Sequence, residues 1–364
     1  MEVLITILVL RVRSVSSLLF LPSAMAGIPT LWVPLLATLA GLGSLTLLST
    51  AYFTIRFLTL HLIKPSRPLQ SYKRAGPEPA YALITGSSAG IGFSIARALI
   101  QQGFNIILLG HLAGELASAK EQLRALVPSA SIQILVMDAR TASPEEMQAA
   151  VQSIAHLNVS ILVNNVGGNP VTLPPFRVLG NYSSGDVDAV INQNARFMAR
   201  LTAMMIPILS RRKEEGGKGA ERGERSLIIN LSSAGRVGLP WLVMYGATKA
   251  FNWAFSCGLS RELSVDPGTR HIDCLAIIPG DVKSQGNCEG VSPNDPRSDE
   301  FAEQLVRKVD CAVGRGMKEL RPWMMHGVQD WVLSILPEGV KSKELIKMLG
   351  KKKDAFNGAW EKSR

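Results

Sequence analysis

The chain has 364 residues, 47% of them apolar, and a formal charge of +10 at pH 7. That length can bury one large core and still leave segments over, and the basic residues do not interleave with aromatic ones, which argues against a nucleic-acid partner. They cluster beside apolar stretches instead, the pattern of a membrane surface. The four cysteines (Cys257, Cys274, Cys288, Cys311) form no Cys-x-x-Cys and no metal spacing with the five histidines, so a reduced domain without a metal site is expected.

Residues 1–63 differ from the rest. No charged side chain lies between Arg13 and Arg56, and Leu31 through Ile55 is long enough to cross a bilayer as a helix. Ahead of it, residues 1–26 are mostly apolar but interrupted by Arg11 and Arg13. Ala24-Met25-Ala26 could pass for a signal-peptidase site, yet no basic side chain precedes the apolar region and another long apolar segment follows. The expectation is an uncleaved anchor whose first segment lies in or re-enters the membrane. Arg56, Lys64, Arg67, Lys73 and Arg74 follow the span, against Arg11 and Arg13 before it, so the following domain should face the cytosol. Residues 64–79, with four prolines, read as a linker.

From Ala80 onward, strand-like apolar runs alternate with helically spaced ones, which predicts a parallel sheet covered by helices on both faces. Strands are expected near 81–85, 104–110, 131–137, 159–164, 226–232 and 271–278. Helices are expected near 91–102, 113–127, 144–156, 186–212, 243–264 and 299–312. The stretch from Arg211 to Ser226 is charged, glycine-rich and without apolar anchors, so it reads as a mobile loop. At the far end, Val340, Leu345, Ile346, Leu349, Phe356 and Trp360 sort on a helix against Lys341, Lys343, Lys347 and Lys351 to Lys353. That amphipathic pattern fits either an anionic membrane surface or a helix packed back on the domain.

Two stretches carry chemistry. Leu83-Ile84-Thr85-Gly86-Ser87-Ser88-Ala89-Gly90-Ile91-Gly92 stands between a buried-type strand and a helical pattern. Glycines there let backbone approach a pyrophosphate, and helix N–H groups meet its charge. Downstream, Tyr245 and Lys249 lie four residues apart, on one helix face. A neighbouring ammonium favours the phenolate, which makes the phenol a usable acid for a carbonyl oxygen receiving a hydride.

Together these stretches resemble the short-chain dehydrogenase/reductase family, over most of the chain from Ala80 to Gly286. Asn164-Asn165-Val166-Gly167 looks like its Asn-Asn-x-Gly, and Asn230-Leu231-Ser232-Ser233 like its Asn-x-Ser-Ser. Pro279-Gly280-Asp281-Val282-Lys283-Ser284 looks like its Pro-Gly-x-Val-x-Thr/Ser. The resemblance implies an α/β, Rossmann-type doubly wound parallel sheet, here behind an N-terminal transmembrane anchor. It implies catalytic roles for Tyr245, Lys249, Asn194 and a serine. Motif alignment selects Ser233, whereas the family's usual spacing to the tyrosine selects Ser232; Ser233 is preferred. The implied cofactor contacts are Gly86, Ser88, Gly90, Ile91, Gly92, His111, Asp138, Asn164, Asn165, Gly167, Tyr245, Lys249, Val282 and Ser284. No acidic residue ends the second strand, so NADPH is expected over NADH, with His111 where related reductases often carry Arg.

Asn-Asn-Val-Gly, the Tyr-x-Ala-Thr-Lys followed by Ala-Phe, and the C-terminal segment look like one branch. It holds the very-long-chain 3-oxoacyl-CoA reductases of the endoplasmic reticulum and related steroid 17-beta dehydrogenases. The implied activity is reduction of a long-chain ketone at the cytosolic face of that membrane, most simply a 3-oxoacyl-CoA. A polyketide or sphingoid-like substrate, a hydroxysteroid, or an inactive scaffold are the alternatives, and a homodimer is left open. Ala89 in place of Asp, His111 in place of Arg, and a loop one residue short before Tyr245 depart from the branch. The expected division is anchor 1–63, linker 64–79, catalytic domain 80–286, substrate-side segment 287–337 and basic tail 338–364.

Overall fold

The computed structural model describes residues 32–63, 69–74, 79–169, 174–211 and 225–362. The expected first membrane segment over 1–26, parts of the linker (64–68 and 75–78) and the loop at 212–224 lie outside the described residues. Two compact units divide between Thr59 and Leu60.

The first unit contains most of helix α1, Trp32–Leu62. Its 31 residues span about 46 Å at helical rise. Its apolar window is entirely unburied, and by length and composition it can cross a membrane. Several of its hydroxyls are satisfied within the helix: Thr38 and Thr46 donate to the carbonyls of Pro34 and Leu42, both at 2.8 Å.

The second unit is built on seven parallel strands: β1 (Tyr81–Thr85), β2 (Asn105–Gly110), β3 (Ile132–Val136), β4 (Val159–Asn164), β5 (Ser226–Leu231), β6 (Ile272–Ile277) and β7 (Glu319–Leu320). Their order is β3-β2-β1-β4-β5-β6-β7. Every residue of β1, β2, β4 and β5 is buried, which is why these strands read as continuous apolar runs instead of alternating ones. Successive side chains still go to opposite faces. Ala82, Ile84, Ile106 and Val163 meet α2 (Gly90–Gln101), α3 (Ala113–Leu126) and α8 (Ser298–Gly314). Leu83, Ile107, Leu162 and Ile228 meet α4 (Pro144–Ser153), α6 (Phe197–Leu209) and α7 (Val243–Val265). The chain reverses direction across the sheet between β1 and β4, which opens a crevice at their carboxyl ends.

Four expectations need correcting. The helix predicted over 186–212 is two helices, α5 (Ser184–Ile191) and α6, joined by a π-helical turn at Asn192–Arg196 that re-aims Asn194. The linker is not a free spacer throughout, because Leu69 and Tyr72 are buried and the Tyr72 hydroxyl donates to Asp273 at 2.9 Å. The catalytic fold does not stop at 286: α8 supplies Phe301 and Leu305 to the core, and β7 extends the sheet beside β6. A two-residue strand is too short to leave a periodic signal. The fourth concerns the tail, which forms α10 (Glu338–Lys362) after α9 (Met324–Ile335). Its Leu345 and Leu349 are buried, whereas Val340 and Ile346 are exposed, so part of the apolar side is turned onto protein.

Candidate active site

The crevice holds a cavity of about 460 Å³, large enough for much of a dinucleotide. Its floor is the β1–α2 turn. Gly86 and Gly90 have φ of 63° and 58°, the left-handed region that favours glycine. Gly92 is constrained by packing: a Cβ there would lie 2.1 Å from the Gly86 carbonyl oxygen. The Asn165 side chain locks this turn, donating to the carbonyls of Thr85 and Gly86, both at 3.0 Å. The Thr85 hydroxyl in turn accepts from the N–H groups of Asn165 and Val166. Helix α2 has no acidic residue in its first turn, so nothing competes with an anion at its N-terminus. These residues fit a dinucleotide's pyrophosphate: the backbone is bare and preorganised where the charge would sit.

Of the expected cofactor contacts, Gly86, Ser88, Gly90, Ile91, His111, Asp138, Asn165, Gly167, Tyr245, Lys249 and Ser284 line the cavity. Asn164 does not. Its amide is buried and donates to Thr202 at 2.9 Å and to Asn230 at 2.7 Å, which ties β4 to β5 below the site. Gly92 and Val282 also lie beneath the cavity wall, Gly92 as a packing residue and Val282 buried in the loop after β6. Sequence reasoning missed Arg140, which lines the cavity with His111 and forms a bidentate pair with Asp138, Nε to Oδ1 and Nη2 to Oδ2. The Arg140 guanidinium holds the Asp138 carboxyl below its usual range. The signal was present as an Asp-x-Arg spacing two strands beyond the glycine turn.

The reacting groups converge where β5, the turn after it and α7 meet. Tyr245 and Lys249 do face the same way, with the Lys249 ammonium 5.7 Å from the phenol ring centroid. Lys249 is buried and donates to the Leu231 carbonyl at 3.0 Å; burial pushes its ammonium down to about 8. The phenol departs from expectation. Burial raises Tyr245 above its ordinary value, a hydrogen bond with Ser233 works against that rise, and the Asp281 charge adds to it. The proton therefore stays on the phenol at neutral pH, as an acid catalyst needs.

The two serines separate by geometry. The Ser232 hydroxyl donates to the Lys249 carbonyl at 2.6 Å and is buried, which makes it a strut between β5 and α7. Ser233 bonds the phenol and accepts from the Gly235 N–H at 3.0 Å. The shortened loop closes through Trp241, whose φ of 62° is a strained value for a bulky residue. Asn194 is fully buried, exchanging two hydrogen bonds of 2.8 Å with the Gly168 backbone and donating to Thr248 at 3.1 Å. A Cβ on Gly167 would lie 2.6 Å from the Lys249 nitrogen, so Gly167 lets the lysine reach the cavity.

The model of the family described as short chain dehydrogenase matches residues 80–292. Among characterised relatives, a very-long-chain 3-oxoacyl-CoA reductase of Aspergillus niger is 27% identical over 301 residues, covering 82% of this chain and 81% of that relative. One from Emericella nidulans is 29% identical over 268 residues, or 73% and 72% of the two chains. In fold, a short chain dehydrogenase from Pseudomonas syringae superposes with a TM-score of 0.59 at 19% identity, covering 72% of this chain and all of that one. A Sphingobium yanoikuyae short-chain dehydrogenase, solved with NADPH, gives a TM-score of 0.53 at 23% identity over 71% and 97% of the two chains. With the family model matched across the whole crevice and its reacting groups, this chain belongs to the short-chain dehydrogenases, oxidoreductases that use a nicotinamide cofactor.

Proposed function

We propose that the protein is a membrane-anchored ketoreductase that uses NADPH to reduce a long-chain 3-oxoacyl-CoA. The observation that carries the chemistry is that Tyr245 and buried Lys249 line one glycine-floored cavity, with Ser233 acting on the phenol. The substrate class rests on the very-long-chain 3-oxoacyl-CoA reductases that resemble the chain over four-fifths of its length. A bound nicotinamide supplies the hydride. Tyr245 gives its phenolic proton to the ketone oxygen, and Ser233 holds that oxygen by its hydroxyl. Lys249 keeps a positive charge near the phenol as it loses its proton, and Asn194 fixes the Gly168 backbone beside them. Preference for NADPH is supported by His111 and Arg140 at the cavity's far end and by the absence of an acid closing β2.

Helix α1 serves as the anchor, and the basic residues after it favour the cytosolic face of the endoplasmic reticulum for the catalytic unit. A second copy would meet the apolar side of α7, where Val243 and Phe251 are exposed and Phe251 stacks on Phe255. The test is NADPH oxidation by full-length protein in detergent micelles, with long-chain 3-oxoacyl-CoA compared against a 17-ketosteroid. The acyl substrate should turn over, and Tyr245→Phe should lose at least about 10²-fold in rate while still binding NADPH. Turnover of the steroid alone transfers the reading to the hydroxysteroid branch.

A further inference from the structure

The C-terminal helix does not hang free of the active site. Along one side of α10, Lys352, Lys353, Phe356 and Asn357 meet three loops of the catalytic unit. Asn357 exchanges two hydrogen bonds with the Phe176 backbone, accepting at 3.4 Å and donating at 3.0 Å, and the Phe176 and Phe356 rings lie 5.3 Å apart. Lys353 sits 5.1 Å from the ring centroid of Trp241, the strained residue of the loop between Ser233 and Tyr245. Gly290, with φ of 62°, lets the loop after β6 approach so closely that a Cβ there would lie 3.2 Å from the Lys352 Cα.

The third loop, Pro279–Ser284, matters most. It leads from β6 to the glycine turn, where a Cβ on Gly90 would lie 3.5 Å from Ser284. Asp281 is at its centre and is gripped twice. Its backbone carbonyl faces the His326 Nε2 of α9 at 3.0 Å, and its carboxylate pairs with the Lys352 ammonium. The Asn287 amide adds bonds to that carboxylate at 3.3 Å and to the Val282 carbonyl at 3.0 Å. The carboxylate also acts on Tyr245, the proton donor of the proposed reaction. The Lys352 charge is therefore set against the carboxylate whose charge bears on the phenol.

We infer that α10 is a working part of the active site, with Lys352 as a positioning residue that holds the Pro279–Ser284 loop through Asp281 and neutralises that carboxylate. The groups around Asp281 are Lys352 from α10, His326 from α9, Asn287 from its own loop and Tyr245 from α7. Burial lowers the His326 pKa, so that ring is neutral at physiological pH and Lys352 supplies the compensating charge. Tyr245 itself faces Ser233, Lys249 and Asp281. With Lys352 removed, the unscreened carboxylate holds the proton more tightly on the phenol, and the loop loses its tie to α10.

This inference rests on Tyr245 being the proton donor of a ketone reduction, and it is tested in full-length protein in detergent micelles. Lys352→Met, Lys352→Arg, the double variant Lys352→Met with Asp281→Asn, and Lys351→Met as an exposed neighbour are compared with wild type. The readouts are kcat and KM for the ketone, the pH profile of alcohol oxidation, and the rise in Tm on adding NADPH. Lys352→Met should lower kcat roughly tenfold and move the basic-group limb of the oxidation profile to higher pH. Its NADPH-induced Tm rise should persist, Lys352→Arg should restore rate and limb, and the double variant should return the limb toward wild type. Lys351→Met should match wild type. An unmoved limb in Lys352→Met, or a double variant no different from the single one, overturns the positioning role. If wild type reduces another ketone but no 3-oxoacyl-CoA, the substrate reading fails alone, and the Lys352 comparison is made on that ketone.

Discussion

Lys249 is the residue whose burial costs the fold most visibly. Its ammonium is pushed to about 8 from an ordinary 10.5, so between those pH values the unfolded chain binds a proton that the folded chain has released. Stability therefore rises with pH across that window, and the cost of burying the charge is present in full below it. Replacing Lys249 with Met should raise stability at neutral pH by up to about 3 kcal/mol and remove that part of the pH slope. Thermal unfolding of both proteins from pH 7 to 10.5 checks this; a difference between them that stays constant with pH would sink the assignment. The serines make the complementary point, since Ser232 and Ser233 are adjacent and chemically identical, and only their directions differ. A residue count to the tyrosine selected the strut, whereas alignment on the strand selected the group at the phenol.

At the scale of elements, the turn from β1 into α2 is the best-determined part of the molecule. Three glycines in it answer two separate demands: Gly86 and Gly90 need left-handed backbone, and Gly92 needs the absence of a side chain against the Gly86 carbonyl. Gly92→Ala should weaken NADPH binding at least about tenfold, because backbone on the opposing side cannot move aside as a flexible side chain would. Titration of the full-length variant by cofactor fluorescence measures it, and an unchanged Kd removes Gly92 from the cofactor site. The loop from Ser233 to Tyr245 is the opposite case. Its length could be counted, but the left-handed Trp241 that closes it depends on partners far along the chain: the Arg177 N–H, which donates to its carbonyl at 3.2 Å, and Lys353 over its ring.

For the whole molecule, the division between the two compact units falls at Thr59 and Leu60, and the first residues past it are structural. Leu60 and His61 are buried, and the Lys308 ammonium lies 3.0 Å from the His61 Nδ1. Leu69 and Tyr72 are each 1% exposed. A protein shortened to begin at Leu60 should keep its stability, whereas one beginning at Pro77 forfeits these contacts and should lose at least about 3 kcal/mol. Urea unfolding of the two compares them directly, and equal midpoints would show that residues 60–74 contribute nothing. The described part of the expected spacer is thus a buttress.

The sequence by itself determined what is local or periodic. Continuous apolar runs announced strands covered on both faces, the glycine spacing announced a phosphate turn, and Tyr245 to Lys249 announced a shared helix face. A long uncharged stretch announced α1, and six of the seven strands fell where expected. Tertiary structure alone decided matters that depend on direction or on distant partners. It turned Asn164 away from the cavity into a buried network with Thr202 and Asn230, and it drew Asp138 onto Arg140. It also folded a lysine-rich tail back so that Lys352 meets Asp281, 71 residues earlier in the chain. The physical reason is the same each time: a motif fixes which atoms are available, while a side chain's partner depends on which elements the packed sheet and helices bring within a few ångströms.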